Sequence, residues 1–393
     1  MNDLKVNLQR AGATAMLSLL AGCATVPPMG LPAVEVAATA ETQPVGTANQ
    51  DAADDPAIWR NASDPAKSLI VGTDKKAGLY VYNLAGEVLS FTASAALNNV
   101  ALYAGDYGVL VAASDRADPA SSRIALFLLD TDSGKLSSLG SVDSGPGEAY
   151  GLCMAPAPRI AMQGAPDAVT LYAAIKDGTV RQISVTHKEG AITSQMGATW
   201  KIATQIEGCV IDPASGMLYV GEENTGIWRI DPARPDTAPV LIARTDNAQL
   251  VADVEGLAIA PGPDGARYLI ASSQGDNAYA VYALPDGTFM GRFRINGGEI
   301  DGTSETDGID LVAGSFGPDY PQGLFVAQDG ANDMVAGQST QNFKLVSWAA
   351  IKERITRSAF SAPRLWDRPR LRSCHKPLAQ NPAPSGRPLD HRR

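Results

Sequence analysis

Histidine is scarce: the 393 residues contain three, and of these only His187 lies in the part of the chain that reads as folded. A His-based zinc site, a Ser-His-Asp triad and a phosphohistidine intermediate therefore have no support. Long hydrophobic runs are also missing. The longest candidate, "AGATAMLSLLAG" at 11–22, is too short to span a bilayer. No sustained apolar 3.6-residue period occurs before "WAAIKERI" at 348–355, which predicts one short terminal helix. Positive charge is sparse in the body of the chain. The formal net charge is −10, but residues 352–393 carry 11 Lys and Arg against 3 Asp and Glu, so the remainder sums to −18. So acidic a body argues against a nucleic-acid partner, and it repels an anionic substrate unless cations intervene.

The N-terminus reads as an export signal at 1–22: Lys5 and Arg10, then the short apolar run, then "LAGC" ending at Cys23. That ending resembles the lipobox of bacterial lipoproteins, whose cysteine is lipidated and becomes the mature N-terminus. The expectation is an exported protein, anchored to the bacterial cell envelope by lipid on Cys23, with 23–40 as a tether. Of the other cysteines, Cys153 and Cys209 stand two and one residues after equivalent glycines. Strand alternation points them to opposite faces, which favours two buried thiols over a disulfide.

What the sequence does have is strands. Runs such as "GLYVYNL", "RIALFLLD", "MLYVGEE" and "GLFVAQDG" are separated by Gly, Asp, Asn and Pro turns. They repeat: "IEGCVIDPASGMLYVGEE" and "VEGLAIAPGPDGARYLIASSQ" share one layout, and "AYGLCMAPAP" and "TDGIDLVAG" open the same plan. The equivalent positions 150, 207, 255 and 307 are spaced 57, 48 and 52 apart. A period near 50 with about four short strands predicts an all-β, six-bladed propeller over 41–350.

Residues at one place in every blade converge on one end of the central channel. Those at or near the repeat positions are Asp51, Asp54, Asp55, Glu207, Glu222, Glu223, Asp253, Glu255, Gln274, Asp301, Asp307, Asp329 and Asn332. Oxygen donors without His or Cys suit a hard cation, and loop flexibility favours Ca²⁺ over Mg²⁺. A lone Asp-Gly is ordinary turn chemistry, but adjacent pairs at repeat-equivalent places point to metal. "DGTSETDGID" lacks the glycine and closing glutamate spacing of an EF-hand loop.

Over about residues 41–350 the chain resembles the β-propeller phytases, alkaline calcium-dependent phytate phosphatases. The resemblance rests on "ETQPVGTANQDAADDPAIW", "TDKKAGLYVYNL", "LNNV", "EAYGL", "IEGCVIDPASGMLYVGEENTGIW", "DVEGLAIA", "SSQGDNAYAVY", "DGTSETDGID", "YPQGLFVAQDG" and "QNFKLVSW", in one order. It implies six four-stranded blades, several calcium ions and stepwise hydrolysis of calcium-bound inositol hexakisphosphate to lower inositol phosphates. It places calcium ligands at Glu41, Asp51, Asp54, Asp55, Pro56 (backbone), Val100 (backbone), Glu207, Glu223, Asp253, Glu255, Gln274, Asp301, Gly302 (backbone) and Asp329. Phosphate-binding side chains fall on Lys75, Arg116, Tyr150 and Lys176. Two departures stand out: Ala101 follows "NNV", and Ala331 replaces a frequent acidic residue, which weakens the calcium expected near Asp329.

The chemistry agrees with the resemblance. Phosphoryl transfer to water needs charge neutralisation and a placed nucleophile, which neighbouring divalent ions supply. Glu207 and Glu223 are the expected holders of those ions and of the water. Lys75, Arg116 and Lys176 would face phosphate oxygens, with the Tyr150 hydroxyl at the channel mouth. A monomer is expected. The rival readings are a lactonase-like propeller hydrolase, which needs no basic cluster beside the acidic ring, and a non-catalytic calcium-stabilised binding module. The tail 351–393 is Pro/Arg-rich, reads as disordered and matches nothing in the family.

Overall fold

The computed structural model describes residues 29–361, apart from 95, 106–107, 157–167, 189–190 and 297, and apart from the side chains of 156, 188 and 358–361. Six antiparallel sheets form six blades, spanning 53–93, 97–146, 149–201, 206–244, 254–295 and 309–347. Their innermost strands are Ala53–Trp59, Leu97–Gly105, Ala149–Pro156, Ile206–Ile211, Val254–Pro261 and Ile309–Ala313. Each touches the next, and the sixth touches the first, so the ring is closed.

Alternation along the strands explains how neighbouring blades adhere. In "LIVGTD" (Leu69–Asp74) every residue is buried. Ile70 packs with Leu324, Val326 and Phe343 of blade 6, whereas Val71 packs with Leu97 and Val111 of blade 2. A strand sandwiched between two blades is apolar on both faces, because successive side chains point to opposite sides. The core accordingly divides into six apolar clusters, one at each blade–blade interface.

Ring closure joins the two ends of the chain. Blade 6 takes three strands from 309–347 and its outermost strand, Ala40–Glu41, from the N-terminal side, with Glu41 opposite Lys344. Val34–Val36 adds a fifth, parallel strand to blade 5. The tether expected at 23–40 therefore enters the fold from residue 34, since its valines complete a sheet edge. At the other end, helix Trp348–Ser361 carries Trp348 and Ile351 into the cluster between blades 5 and 6. The tail expected from 351 thus opens as helix, anchored by an apolar face. The signal segment, Cys23 and 362–393 lie outside the described residues.

Cys153 and Cys209 are joined in a disulfide, with Cα atoms 5.6 Å apart, correcting the expectation of two thiols. The two residues sit on innermost strands of adjacent blades. Blade 3 faces blade 4 with the side opposite to the one blade 4 turns back, so opposite orientations bring the sulfurs together. Closing a loop with a sequence separation of 56 is worth up to about 4 kcal/mol in the chain-entropy account. Cys153→Ser should lower the urea midpoint by a corresponding amount under non-reducing conditions. An unchanged midpoint would show that the crosslink does not constrain the unfolded chain.

Candidate active site

The innermost strands bring one residue per blade to a common ring. The second residues of the first five strands are Asp54, Asn98, Tyr150, Glu207 and Glu255, and Asp307 precedes the sixth. Glycine sets how closely the strands approach at this level. A Cβ on Gly151 would collide with the Glu207 carbonyl oxygen, and one on Gly208 with that of Glu255. Gly256 and Gly308 donate their amides across the next gaps, to Asp307 O at 2.7 Å and Asp54 O at 2.9 Å. The repeated glycines are therefore the reason the acidic residues before them crowd together.

Above the ring lies a cleft of about 700 Å³, lined by Asp51, Asp54, Lys75, Tyr150, Gln205, Glu207, Glu223, Asp253, Glu255, Gln274, Gly275, Asn277, Glu305, Asp307 and Gln341. Eight of these are carboxylic acids and one is a lysine. Glu207, Glu223 and Glu255 are buried, and each offers an oxygen within 4.8 Å of the others. Asn98 Nδ2 donates to Glu207 Oε1 at 2.8 Å, Gln205 Nε2 donates to Glu223 Oε1, and Gln274 Nε2 donates to Asp307 Oδ1 at 2.6 Å. Lys75 is enclosed: its Nζ lies 2.9 Å from Asp51 Oδ1, 2.9 Å from Asp54 Oδ1 and 3.0 Å from Asp307 Oδ2.

This crowding is electrostatically costly. Burial, then the charges of Glu255, Asp54 and Asp307, push the Glu207 carboxyl well above the usual carboxylate range. Burial, then Asp307 and Glu223, do the same to Glu255. Burial and Asp54 raise Asp307 to about 7. Lys75 answers in the other direction: burial disfavours its charge, but Asp54 and Asp307 more than restore it and hold the ammonium protonated.

The cleft passes a fit test for a hard cation. Its donors are oxygens, and two buried carboxylate oxygens, Asp54 Oδ2 and Glu255 Oε2, have no hydrogen-bond partner. Such atoms are expensive to enclose unless a ligand meets them.

A cationic lip adjoins this acidic floor. The Arg116 guanidinium carbon lies 5.6 Å and Lys176 Nζ 4.8 Å from the centre of the Tyr150 ring. Both cations pair with one carboxylate, Glu148 Oε1, at 3.9 Å, beyond hydrogen-bonding distance. Gln205 Nε2 reaches the Tyr150 hydroxyl at 3.4 Å, linking lip to floor. The structure thus brings Arg116, Tyr150 and Lys176 together, while Lys75 belongs to the floor.

The remaining sequence-derived residues divide among other places. Asp253 and Gln274 line the cleft. Asp55, Pro56 and Val100 meet lower in the channel, around a cavity of about 200 Å³, where Asp55 Oδ2 accepts the Val100 amide at 2.9 Å. Glu222 is no part of the cleft lining: it accepts from Thr204 and, at 2.8 Å, from Trp228 Nε1. Glu41, Asp301 and Asp329 gather on Lys344 in blade 6, with Gly302 following Asp301. Sequence reasoning assigned no role to Asn98, Gln205, Glu148 or Lys344. Asn98 and Lys344 do stand inside motifs that carried the resemblance, "LNNV" and "QNFKLVSW".

Fold and site together define a closed six-bladed propeller with a metal-competent acidic cleft and a basic lip. The family model described as Phytase matches residues 8–361. A 3-phytase of Bacillus subtilis (strain 168) is 37% identical over 337 residues, covering 82% of this chain and 85% of its own. The chain belongs to the phytase family, and with it to the phosphoric monoester hydrolases. A chain in a solved structure titled "Crystal Structure of Mitotic Checkpoint Complex" aligns with a TM-score of 0.46 and 11% identity, over 86% of this chain and 98% of that one. A likeness at that level carries no argument.

The raised carboxyls predict an unusual pH response of the metal-free protein. A carboxyl whose folded pKa exceeds its unfolded value binds more protons when folded, so stability falls as pH rises between the two. For Asp307 that window runs from 3.8 to about 7, and Glu207 and Glu255 act in the same direction. In chelator, the melting temperature should fall from pH 5 to pH 8. Saturating calcium should remove the decline, at about 2.7 kcal/mol per site at 100-fold the dissociation constant. A flat chelated profile would contradict the electrostatic reading of the cleft.

Proposed function

We propose that the protein releases phosphate from phytate (myo-inositol hexakisphosphate) and lower inositol phosphates, with calcium held in the cleft. The observation that carries the reading is the trio Glu207, Glu223 and Glu255, with unpartnered oxygen on Glu255 and on neighbouring Asp54, set beside the lip of Arg116, Lys176 and Tyr150. The relative's name, 3-phytase, supports phytate as the substrate class. When bound, calcium would offset the cleft's negative charge, polarise the phosphoryl oxygens and lower the pKa of an attacking water.

The chain's own residues do the rest. Glu207, Glu223 and Glu255 hold the cation, and Asn98 and Gln205 fix the rotamers of Glu207 and Glu223. Asp54 and Asp307 keep Lys75 charged, so the floor is not purely anionic. Arg116 and Lys176 meet non-bridging oxygens of the phosphate, Arg116 through its two-pronged guanidinium. Tyr150 keeps its proton, since burial and then Glu207 raise its pKa, and its hydroxyl is a donor to phosphate. One water is consumed as the phosphorus–oxygen ester bond breaks, yielding inorganic phosphate and an inositol hydroxyl. Without cations the eight-carboxyl cleft would repel so charged a substrate. Export and lipid anchoring through Cys23 belong to the same proposal: Cys23→Ser should abolish membrane retention on fractionation.

The test is release of inorganic phosphate from phytate. Release should require calcium, stop in chelator and return when calcium is restored. Release unchanged in chelator would sink the metal mechanism, and no release at all would leave a binding module. Glu223→Ala should lose a calcium ion and lower kcat, with little recovery in excess calcium. Arg116→Ala should keep its calcium count while kcat/KM falls roughly 30- to 150-fold, the loss of about 2–3 kcal/mol from a charge-assisted contact. Steady-state kinetics with calorimetric ion counting separates the two, and near-normal turnover in Glu223→Ala would refute its placement.

A further inference from the structure

Arg292 is buried on the strand Thr288–Ile295 of blade 5, and its guanidinium joins three separate stretches of chain. Nη1 donates to Leu31 O at 3.1 Å and to Ala248 O at 3.3 Å. Nη2 donates to Ser273 Oγ at 3.1 Å and to Asp276 Oδ1. Asp276 is enclosed as well, and Arg294 adds to its hold, donating to Asp276 O at 2.9 Å and to Asp276 Oδ2 at 3.1 Å. Ser273 Oγ in turn donates to Asp276 Oδ1 at 2.8 Å and accepts the Val251 amide at 2.9 Å.

These groups stand behind one wall of the cleft. Residues 274–277 form the turn between the strands Arg267–Ser273 and Ala278–Ala283. Gln274, Gly275 and Asn277 line the cleft, whereas Asp276 bonds the arginines behind it. From this turn Gln274 Nε2 donates to Asp307 Oδ1 at 2.6 Å, and Asn277 Oδ1 accepts the Glu305 amide at 2.9 Å. The Gln274 amide donates to Asp253 O at 3.0 Å. The turn therefore sets where three acidic members of the cleft stand. Backbone contact fixes its depth, since a Cβ on Gly275 would lie 1.8 Å from Ala252 O.

The N-terminal segment covers the pair. The Gly30 and Leu31 amides donate to Asn247 O at 3.1 Å and Ala248 O at 2.7 Å. At Gly30 φ is +83°, and a Cβ there would fall 1.8 Å from Arg292 Nη1 and 2.3 Å from Asp276 Oδ2. Glycine alone permits this approach. A buried ion pair is a poor source of stability beside apolar packing, and a lysine would supply the same charge. What the planar guanidinium fork supplies is fixed geometry.

We propose that Arg292 and Asp276, covered by Gly30 and Leu31, are positioning residues of the cleft. They hold the turn 274–277 so that Gln274, Asp253 and Asp307 keep the spacing a bound cation needs, and neither touches cation or substrate. The effect on the cation rests on the calcium reading above; the hold on the turn does not.

Amide hydrogen exchange and calcium calorimetry on the full chain, with phytate kinetics alongside, test the proposal in Arg292→Met and Gly30→Ala. Exchange at 273–279 in the metal-free protein should rise in both variants, while exchange at 149–155 of blade 3 stays as it is. Calcium affinity should fall about 10- to 100-fold, the usual cost of losing support behind a ligand. KM for phytate at saturating calcium should hold, because Arg116, Lys176 and Tyr150 belong to blades 2 and 3. Gly30→Ala alters no side chain of the cleft or of the pair, and decides the matter if Arg292→Met does not fold. A merely structural pair would lower the melting temperature and leave the calcium affinity of the folded variants unchanged. That result overturns the proposal, as does unchanged exchange at 273–279 in either variant. If the unsubstituted protein binds no calcium, the calcium reading fails, and exchange at 273–279 alone decides the hold on the turn.

Discussion

Like charges forced together at the end of a closed ring are the constraint on which the rest of this structure depends. Six innermost strands converge, and in blades 3 to 6 the glycine after the repeat residue lets neighbouring backbones touch. Four of the six ring residues (Asp54, Glu207, Glu255 and Asp307) are carboxylic acids, joined from above by Glu223. Backbone packing fixes their spacing, so repulsion cannot be relieved by spreading the ring. It can be relieved only by protons, by ammonium groups or by bound cations, and the chain's chemistry follows from which of these acts where.

Two regions resolve the same problem differently. In blade 6, Lys344 offsets part of the charge on Glu41, Asp301 and Asp329 where the ring closes. In the cleft, Lys75 offsets part of the charge on Asp51, Asp54 and Asp307, but Glu255 Oε2 and Asp54 Oδ2 have no hydrogen-bond partner among the described residues. The cleft's charge is thus left incomplete, as the proposed reading of a cation-loaded catalyst for a polyphosphate requires. The lip of Arg116, Lys176 and Tyr150 adjoins that floor, where the proposed reading sets the phosphate oxygens.

Much of this was legible in the sequence because close backbone packing writes itself as glycine. The Tyr-Gly, Glu-Gly and Asp-Gly positions at 150, 207, 255 and 307 gave the blade period and the ring together. Ring closure was less legible. A two-residue strand such as Ala40–Glu41 has no period to read, and Val34–Val36 is defined by its partner strand rather than by its own pattern. Alternation within one sheet does not predict the disulfide, because Cys153 and Cys209 belong to facing blades. Lys344 sits in "NFKLV", where one cation among apolar residues gives no sign of the oxygens it meets. Arg116 and Lys176 are ordinary turn-flanking cations when read singly, and only their family motifs distinguished them.

The central claim is that the cleft's charge is completed by calcium. Its most direct test is a crystal structure of the protein grown with calcium, with anomalous scattering used to place the ions. The account predicts anomalous density within about 2.3–2.6 Å of Glu255 Oε2 and Asp54 Oδ2, with Glu207 and Glu223 among the ligands. A cleft free of anomalous density at saturating calcium, its glutamates paired through shared protons instead, would contradict it.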